Sequence, residues 1–350
     1  MPSTFRRYQL QRGQGLAGLQ LCELDDTALP PLQPDQVRLG MRAAALNYRD
    51  LMIASAGMPG EPAISPLSDG AGVVLEVGST VQGWRPGDAV IANFYPQWID
   101  GPLTEAKQQG ALGNRGPGML AESVVLPASA LLAMPSTLSF AEAATLPCAG
   151  LVAWNALFVA GGARPGDTVL LLGTGGVSIW ALQLAKAAGL RVLITSSSDA
   201  KLALARSLGA DAGCNYLNTP DWAAWARAQT GGRGVDLVLE TAGRATLGRS
   251  LAALRREGTL ALVGGTSGWG GELDADAMID GALRIVGVLV GSRAMAEDLV
   301  RFVEHSGLRP LIARRYAFED AAQAYADLAT AGQVGKLVIE IAPALTGTSP

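Results

Sequence analysis

From Arg164 onward the chain alternates short apolar runs with helix-spaced segments, and that alternation admits little besides a parallel sheet covered on both faces. Six strands are expected, at 168–173, 191–196, 212–216, 235–240, 258–263 and 283–290, enough for a complete doubly wound sheet. Helices fit 177–188, 200–208, 222–229, 245–254 and 294–304. In the first of them Ile179, Leu182 and Ala185 recur at helical spacing on one face. Composition agrees with such an interior. Hydrophobic residues make up 49% of the 350 and aromatic ones only 5%, while 44 are glycine, so aliphatic side chains and close backbone approach must fill the core.

The first 131 residues use another grammar, with strand-like runs such as 37–41, 71–78 and 88–91 broken by turns such as Arg85-Pro86-Gly87-Asp88. They read as a small β-rich barrel or sandwich. The tail returns to a helix, 319–331, and a last strand, 336–341, that complete this first domain. The expected division is therefore 1–131 with 307–350 as one domain and 132–306 as an inserted α/β domain. Residues 346–350 are expected to fray. The stretch 143–163 is charge-free, but it contains Pro147, Asn155 and three glycines, and follows Ser139 and Glu142 at capping-box spacing. A buried helix start, not a membrane span, is expected there.

Net charge of −4 without a long basic run leaves no electrostatic footprint for a phosphate backbone, so nucleic acid is not an expected partner. Cys22, Cys148 and Cys214 are dispersed and form no CxxC pair, which argues against a disulfide framework and a zinc knot. With no apolar run after Arg6 and Arg7 to suggest export, a reducing cytoplasm is the expected location.

The strand-like run Val169-Leu170-Leu171-Leu172 enters Gly173-Thr174-Gly175-Gly176-Val177-Ser178, and a helix follows at once. In such a turn the first glycine permits a tight reversal, the next lets a pyrophosphate approach the backbone, and the helix N-terminus offers unpaired N–H groups. The glycine pattern alone is a weak signal, since a plain strand-turn-helix link can look the same, and Ser178 stands where a third glycine is usual. The alternating elements downstream give it weight.

Several separated motifs now make the chain resemble the medium-chain dehydrogenase/reductases, in particular their zinc-independent quinone-oxidoreductase-like branch. They are Leu46-Asn47-Tyr48-Arg49-Asp50-Leu51, Ser68-Asp69-Gly70-Ala71-Gly72, Gly83-Trp84-Arg85-Pro86-Gly87-Asp88, the glycine turn, Leu208-Gly209-Ala210-Asp211, Glu240-Thr241-Ala242-Gly243 and Gly335-Lys336. The resemblance covers nearly the whole chain. It implies an α/β fold made of a GroES-like β-rich catalytic domain and an inserted Rossmann doubly wound parallel sheet of strand order 3-2-1-4-5-6. It further implies cofactor contacts at Gly173, Gly175, Gly176, Val177, Ser196, Ser197, Lys201, Tyr216, Gly264 and Lys336.

Many proteins of this kind use zinc, which needs about three protein ligands in a catalytic site. The single histidine, His305, falls at a helix end, and Cys148, matching a third ligand of the zinc-binding proteins, reads as a small buried residue. No metal is expected. No Ser-His-Asp, Cys-His or paired-carboxylate hydrolytic set can be assembled either. Without a Lewis acid, hydride acceptors that respond to hydrogen bonding alone, quinones and α,β-unsaturated carbonyls, are favoured over simple alcohols and aldehydes. The resemblance places Asn47 on the nicotinamide side with Tyr48 and Asp50 nearby. Tyr48 can donate to an oxyanion; equally, Tyr48 can pack, and Asp50 can pair with Arg49 or cap a helix. The rivals to a reductase are an NADPH-binding protein with little turnover and an alcohol or aldehyde oxidoreductase.

The cofactor expected is NADP(H). Ser196 stands where NAD-specific proteins of this type carry an acid, and a hydroxyl does not repel a 2'-phosphate. Asp199 reads as the cap of the next helix, whereas Lys201 and Tyr216 match the lysine and tyrosine that hold that phosphate in the resembling quinone reductases. The apolar last strand of the sheet, left at an edge, predicts a homodimer.

Overall fold

The computed structural model describes residues 4–56 and 61–341, so the expected fraying of 346–350 lies outside the described residues. Two compact units emerge, one taking the chain up to Cys148 and again from Gly291, the other spanning Ala149–Val290.

The second unit is the inserted sheet. Its strands Thr168–Leu171, Arg191–Ser196, Ala212–Asn215, Val235–Glu240, Leu254–Leu262 and Arg284–Gly287 are all parallel, and in space they run third, second, first, fourth, fifth, sixth. The order reverses between the first and fourth strands, and ligands of such sheets bind where the loops diverge at that point. Leu170, Leu193, Val238 and Leu260 lie fully enclosed beneath Trp222, Ala226 and Leu251 of the covering helices. At the sheet's amino end Asp236 ties the first and fourth strands together. It accepts from the Thr168 amide at 2.8 Å and from Arg233 and Arg255, which hold its carboxyl down at about 2 against the desolvation that would raise it. A helix at Ala275–Gly281, absent from the periodicity reading, precedes the edge strand.

In the first unit a seven-stranded sheet orders Ile312–Ala317, Lys336–Glu340, Gln36–Ala45, Asp69–Val77, Ala89–Ala92 and Leu131–Ala133 side by side, with Ser123–Pro127 also paired to Gln36–Ala45. Lys336–Glu340 is the expected last strand joining the β-rich sheet, and Ile312–Ala317 is a second tail strand that the sequence reading did not draw. Val338 pairs with Ala45 and Leu46 donates its amide to the Leu337 carbonyl at 3.1 Å, which seats the tail against the start of the Asn47 loop.

The division differs from the expected one by 17 residues on one side and 16 on the other, since 132–148 and 291–306 belong to the first unit and not to the sheet domain. The helix Arg293–Ser306 explains the second shift: its Arg293 amide donates to Trp98 at 2.8 Å and its Glu304 accepts from Ser136 at 2.6 Å. An amphipathic pattern shows that a face is covered but not which core covers it. Ser139 and Glu142 form the expected capping box. No helix among the described residues is long and apolar enough to cross a membrane.

Candidate functional site

The residues singled out from the sequence fall into two sets. The first stands at the carboxyl ends of the second unit's strands. Gly173 takes φ +71, a left-handed conformation that glycine adopts without a Cβ penalty, and its amide donates to Thr195 Oγ1 at 3.3 Å. Gly175 caps the helix Gly176–Ala187, and a Cβ placed on either Gly173 or Gly175 would meet no atom within 4 Å. The loop therefore leaves open space in front of the helix's first N–H groups, as an anion cradle requires. Ser178, in the third glycine's place, is buried and donates its hydroxyl to the Leu172 carbonyl at 2.7 Å, so it fastens helix to strand where a glycine would only have allowed close approach.

Beyond the cradle the second strand ends in Ser196, buried with its hydroxyl 3.5 Å from Thr174 Oγ1. Ser197 follows it, half-buried. Tyr216 donates its amide to the Ser196 carbonyl at 3.0 Å and keeps an exposed ring. Ser198, not Asp199, caps the next helix, since its hydroxyl accepts from the Lys201 amide; Asp199 is the first residue inside that helix and accepts from Asn215. The side chains beside Ser196 thus include no acid at the strand end itself. Gly264 donates to the Glu240 carbonyl at 3.2 Å, and a Cβ there would lie 2.7 Å from the Thr241 carbonyl oxygen, so only glycine lets that loop close. Glu240, fully buried, is satisfied by the Ala242 and Gly243 amides and the hydroxyls of Thr246 and Ser250, a scaffold carboxylate.

The second set belongs to the first unit. Asn47 precedes the helix Tyr48–Ser55, and Asp50 reaches back to accept from the Asn47 amide at 2.7 Å. That settles the capping alternative in its favour over pairing with Arg49, whose guanidinium instead lies 4.7 Å over the Phe94 ring and donates to the Leu112 carbonyl. The remaining Asp50 oxygen is buried with no hydrogen-bond partner among the described residues, and burial pushes the carboxyl up to about 7, with Arg49 opposing and Asp69 reinforcing. Tyr48 is 46% exposed, with Met52 at 40% one turn on.

Lys336 lies elsewhere than expected. The resemblance assigned it to the cofactor, but it is 3% exposed in the first unit, where its ammonium donates to the Leu46 carbonyl and, at 2.6 Å, to Asn47 Oδ1. Sequence reasoning also missed Asp69, wholly buried, which accepts from the Ser68 hydroxyl at 2.7 Å and the Cys148 amide at 3.2 Å. Burial raises its pKa while Lys336 opposes that rise. The available signals were a carboxylate and a lysine opening apolar strands, where charge is rarely enclosed without a partner.

These residues do not fit zinc. Among the described residues no group of three His, Cys, Asp or Glu side chains is placed to hold a metal, and His305 is exposed in the last turn of its helix. Cys148 is half-buried and offers one thiol, short of the about three protein ligands that a catalytic zinc needs. The Lys336 ammonium acts on Asp50, Asp69 and Cys148 alike and would repel a divalent cation.

The alcohol dehydrogenase GroES-like domain profile matches residues 33–136, and the zinc-binding dehydrogenase profile matches residues 176–305. A zinc-type alcohol dehydrogenase-like protein of Schizosaccharomyces pombe is 40% identical over 318 residues, 89% of this chain and 92% of that protein. A crystal structure of an NAD-dependent alcohol dehydrogenase is 34% identical with a TM-score of 0.86, over 96% of this chain and 100% of that one. The 2-octenoyl-CoA carboxylase reductase CinF, solved in complex with NADP and 2-octenoyl-CoA, is 28% identical with a TM-score of 0.86, over 99% of this chain and 90% of that one.

Proposed function

The chain belongs to the medium-chain dehydrogenase/reductase superfamily, and from that premise we propose an oxidoreductase that uses NADP(H) and, without zinc, reduces a quinone or an alkene conjugated to a carbonyl. The observation that carries this reading is the Lys336 ammonium among Asn47, Asp69 and Cys148, a fixed cation where a metal would need anionic ligands. Gly173, Gly175 and Gly176 would hold the pyrophosphate with Val177 behind them, and Ser196, Ser197, Lys201 and Tyr216 the 2'-phosphate. NADPH, when bound, supplies the hydride.

The protein's own part is to polarise the acceptor and provide a proton. A hydride added to an enone leaves negative charge on the carbonyl oxygen, which Asn47 and Tyr48 would meet with N–H and O–H donors. The enolate then needs a proton, and a carboxyl near neutrality suits that transfer. Asp50, with one oxygen lacking a protein partner, is that carboxyl.

The test is NADPH oxidation against quinones, enones, enoyl thioesters and aldehydes, with and without a chelator, alongside Kd values for NADPH and NADH. Turnover of a quinone or enone is expected to survive chelation in zinc-free protein. Replacing Lys201 by Ala should weaken NADPH roughly ten- to a hundredfold, as the loss of a charge-assisted hydrogen bond of about 1.5 to 3 kcal/mol implies, and NADH little. Turnover of aldehydes alone, loss of activity with zinc, or equal affinity for the two cofactors would overturn the proposal. Tight NADPH binding with no acceptor oxidising it would favour a binding protein instead.

A further inference from the structure

Asn47 and Lys336 are joined by a contact that spans 289 positions of sequence. Lys336 opens the strand Lys336–Glu340, and the pairing of that strand with Gln36–Ala45 brings its side chain beneath the Leu46–Asn47 backbone. A buried ammonium is tolerated only with partners that accept from it, and here they are the Leu46 carbonyl, Asn47 Oδ1 and the charge of Asp69.

The consequence lies in the carboxamide. An asparagine side chain presents an acceptor at one end and two donors at the other, and only its neighbours decide which way it is turned. Ammonium has no lone pair to offer, so with Lys336 beneath it the Asn47 oxygen must face Lys336 and the Nδ2 group must face away. Nδ2 is buried and among the described residues has no partner with hydrogen-bond geometry, although Asn47 lies close enough to Asp69 to lower that carboxyl. At most one N–H is turned toward Asp69. The other is an enclosed donor without an acceptor, which costs free energy unless a ligand or water meets it.

We propose that Lys336 is a positioning residue: it fixes the Asn47 carboxamide so that one Nδ2–H is held out to the carbonyl oxygen of the hydride acceptor. The inference rests on the functional reading above. It replaces the cofactor contact implied for Lys336 with a role exerted through Asn47, and the two differ in what they do to cofactor affinity.

Lys336→Met keeps the length and apolar stem and removes the ammonium. Expected are a fall in kcat of roughly ten- to a hundredfold, as for misplacement of one preorganised donor, and an NADPH Kd within about twofold of the parent. Combining it with Asn47→Ala should cost no more than Asn47→Ala alone, and Lys336→Arg should restore part of kcat. Because Lys336→Met leaves Asp69 uncompensated and can fail to fold, the same measurements are made on Lys336→Met with Asp69→Asn, a neutral pair, against Asp69→Asn alone. Selective labelling supplies a readout independent of turnover: the Asn47 Nδ2 resonances, assigned by their loss in Asn47→Ala, should shift and exchange faster when the ammonium is gone. An unchanged kcat, a rise in NADPH Kd with kcat kept, full additivity with Asn47→Ala, or unmoved Nδ2 resonances would each overturn the inference. Should none of the acceptors be reduced by NADPH on the parent protein, the functional reading fails and the resonances alone decide this one.

Discussion

Asp50 carries the largest pH consequence at the scale of one residue. Its carboxyl is fully enclosed and titrates near 7 in the fold, against 3.8 for an ordinary aspartate. The folded protein thus keeps this proton where the unfolded chain has released it. Such a group favours the fold most below the unfolded value and loses that contribution as pH rises toward the folded one. Asp50→Asn keeps the acceptor for the Asn47 amide and removes the ionisation. The unfolding free energy of Asp50→Asn relative to the parent, from denaturant titrations at each pH, should therefore climb between about pH 4 and 7 and level off above, by an amount on the order of a few kcal/mol. A difference that stays constant across that range would show that the carboxyl is not held protonated. Its position as a capping residue was legible three places from Asn47. Its companions were not, because Asp69 and Lys336 reach it only through strand pairing, and single-sequence patterns carry no register between distant strands.

At the scale of elements, the strand-turn-helix at Thr168–Leu171 and Gly176–Ala187 was the most legible part of the chain, since the two periodicities change within a few residues. Its glycines differ in what they are for. Gly173 needs its positive φ, so a side chain there strains the backbone by about 1 to 3 kcal/mol. Gly175 has φ −74 and ψ −177, ordinary extended backbone open to any residue, and an added Cβ touches nothing. Gly175→Val should accordingly fold with a loss of well under about 2 kcal/mol at the cap. Its side chain would occupy the space where a pyrophosphate approaches, so calorimetry should show NADPH affinity falling at least about tenfold, the worth of one charge-assisted hydrogen bond to phosphate. Unchanged affinity in a well-folded variant would remove the cradle assignment. The helix Arg293–Ser306 was legible as a helix and misplaced as to domain, because its hydrogen-bond partners Trp98 and Ser136 come from loops much earlier in the chain.

At the scale of the whole molecule, the six-stranded sheet ends in Arg284–Gly287, a strand with one neighbour, Leu254–Leu262. Its unpaired edge offers backbone donors and acceptors to another chain. The opposite edge, Ala212–Asn215, is equally short but carries Gly213 and Asn215 where Arg284–Gly287 carries Ile285 and Val286, a poorer template. Around the sixth strand the sequence exposes large apolar side chains: Trp269 at 58%, Leu273 at 53%, Ile279 at 79% and Leu289 at 46%. Scattered singly these would mean little, but four within 21 positions flanking an open edge favour a partner that covers them. We propose a second copy of the chain, related by a twofold axis that would join the edges into one sheet and cover them with the same residues on both sides. Ile279→Asp with Leu289→Asp removes apolar contact from exposed positions, and should leave the monomer's circular dichroism intact while shifting sedimentation equilibrium from dimer to monomer. A parent protein that sediments as a monomer at micromolar concentration would refute the paired edge.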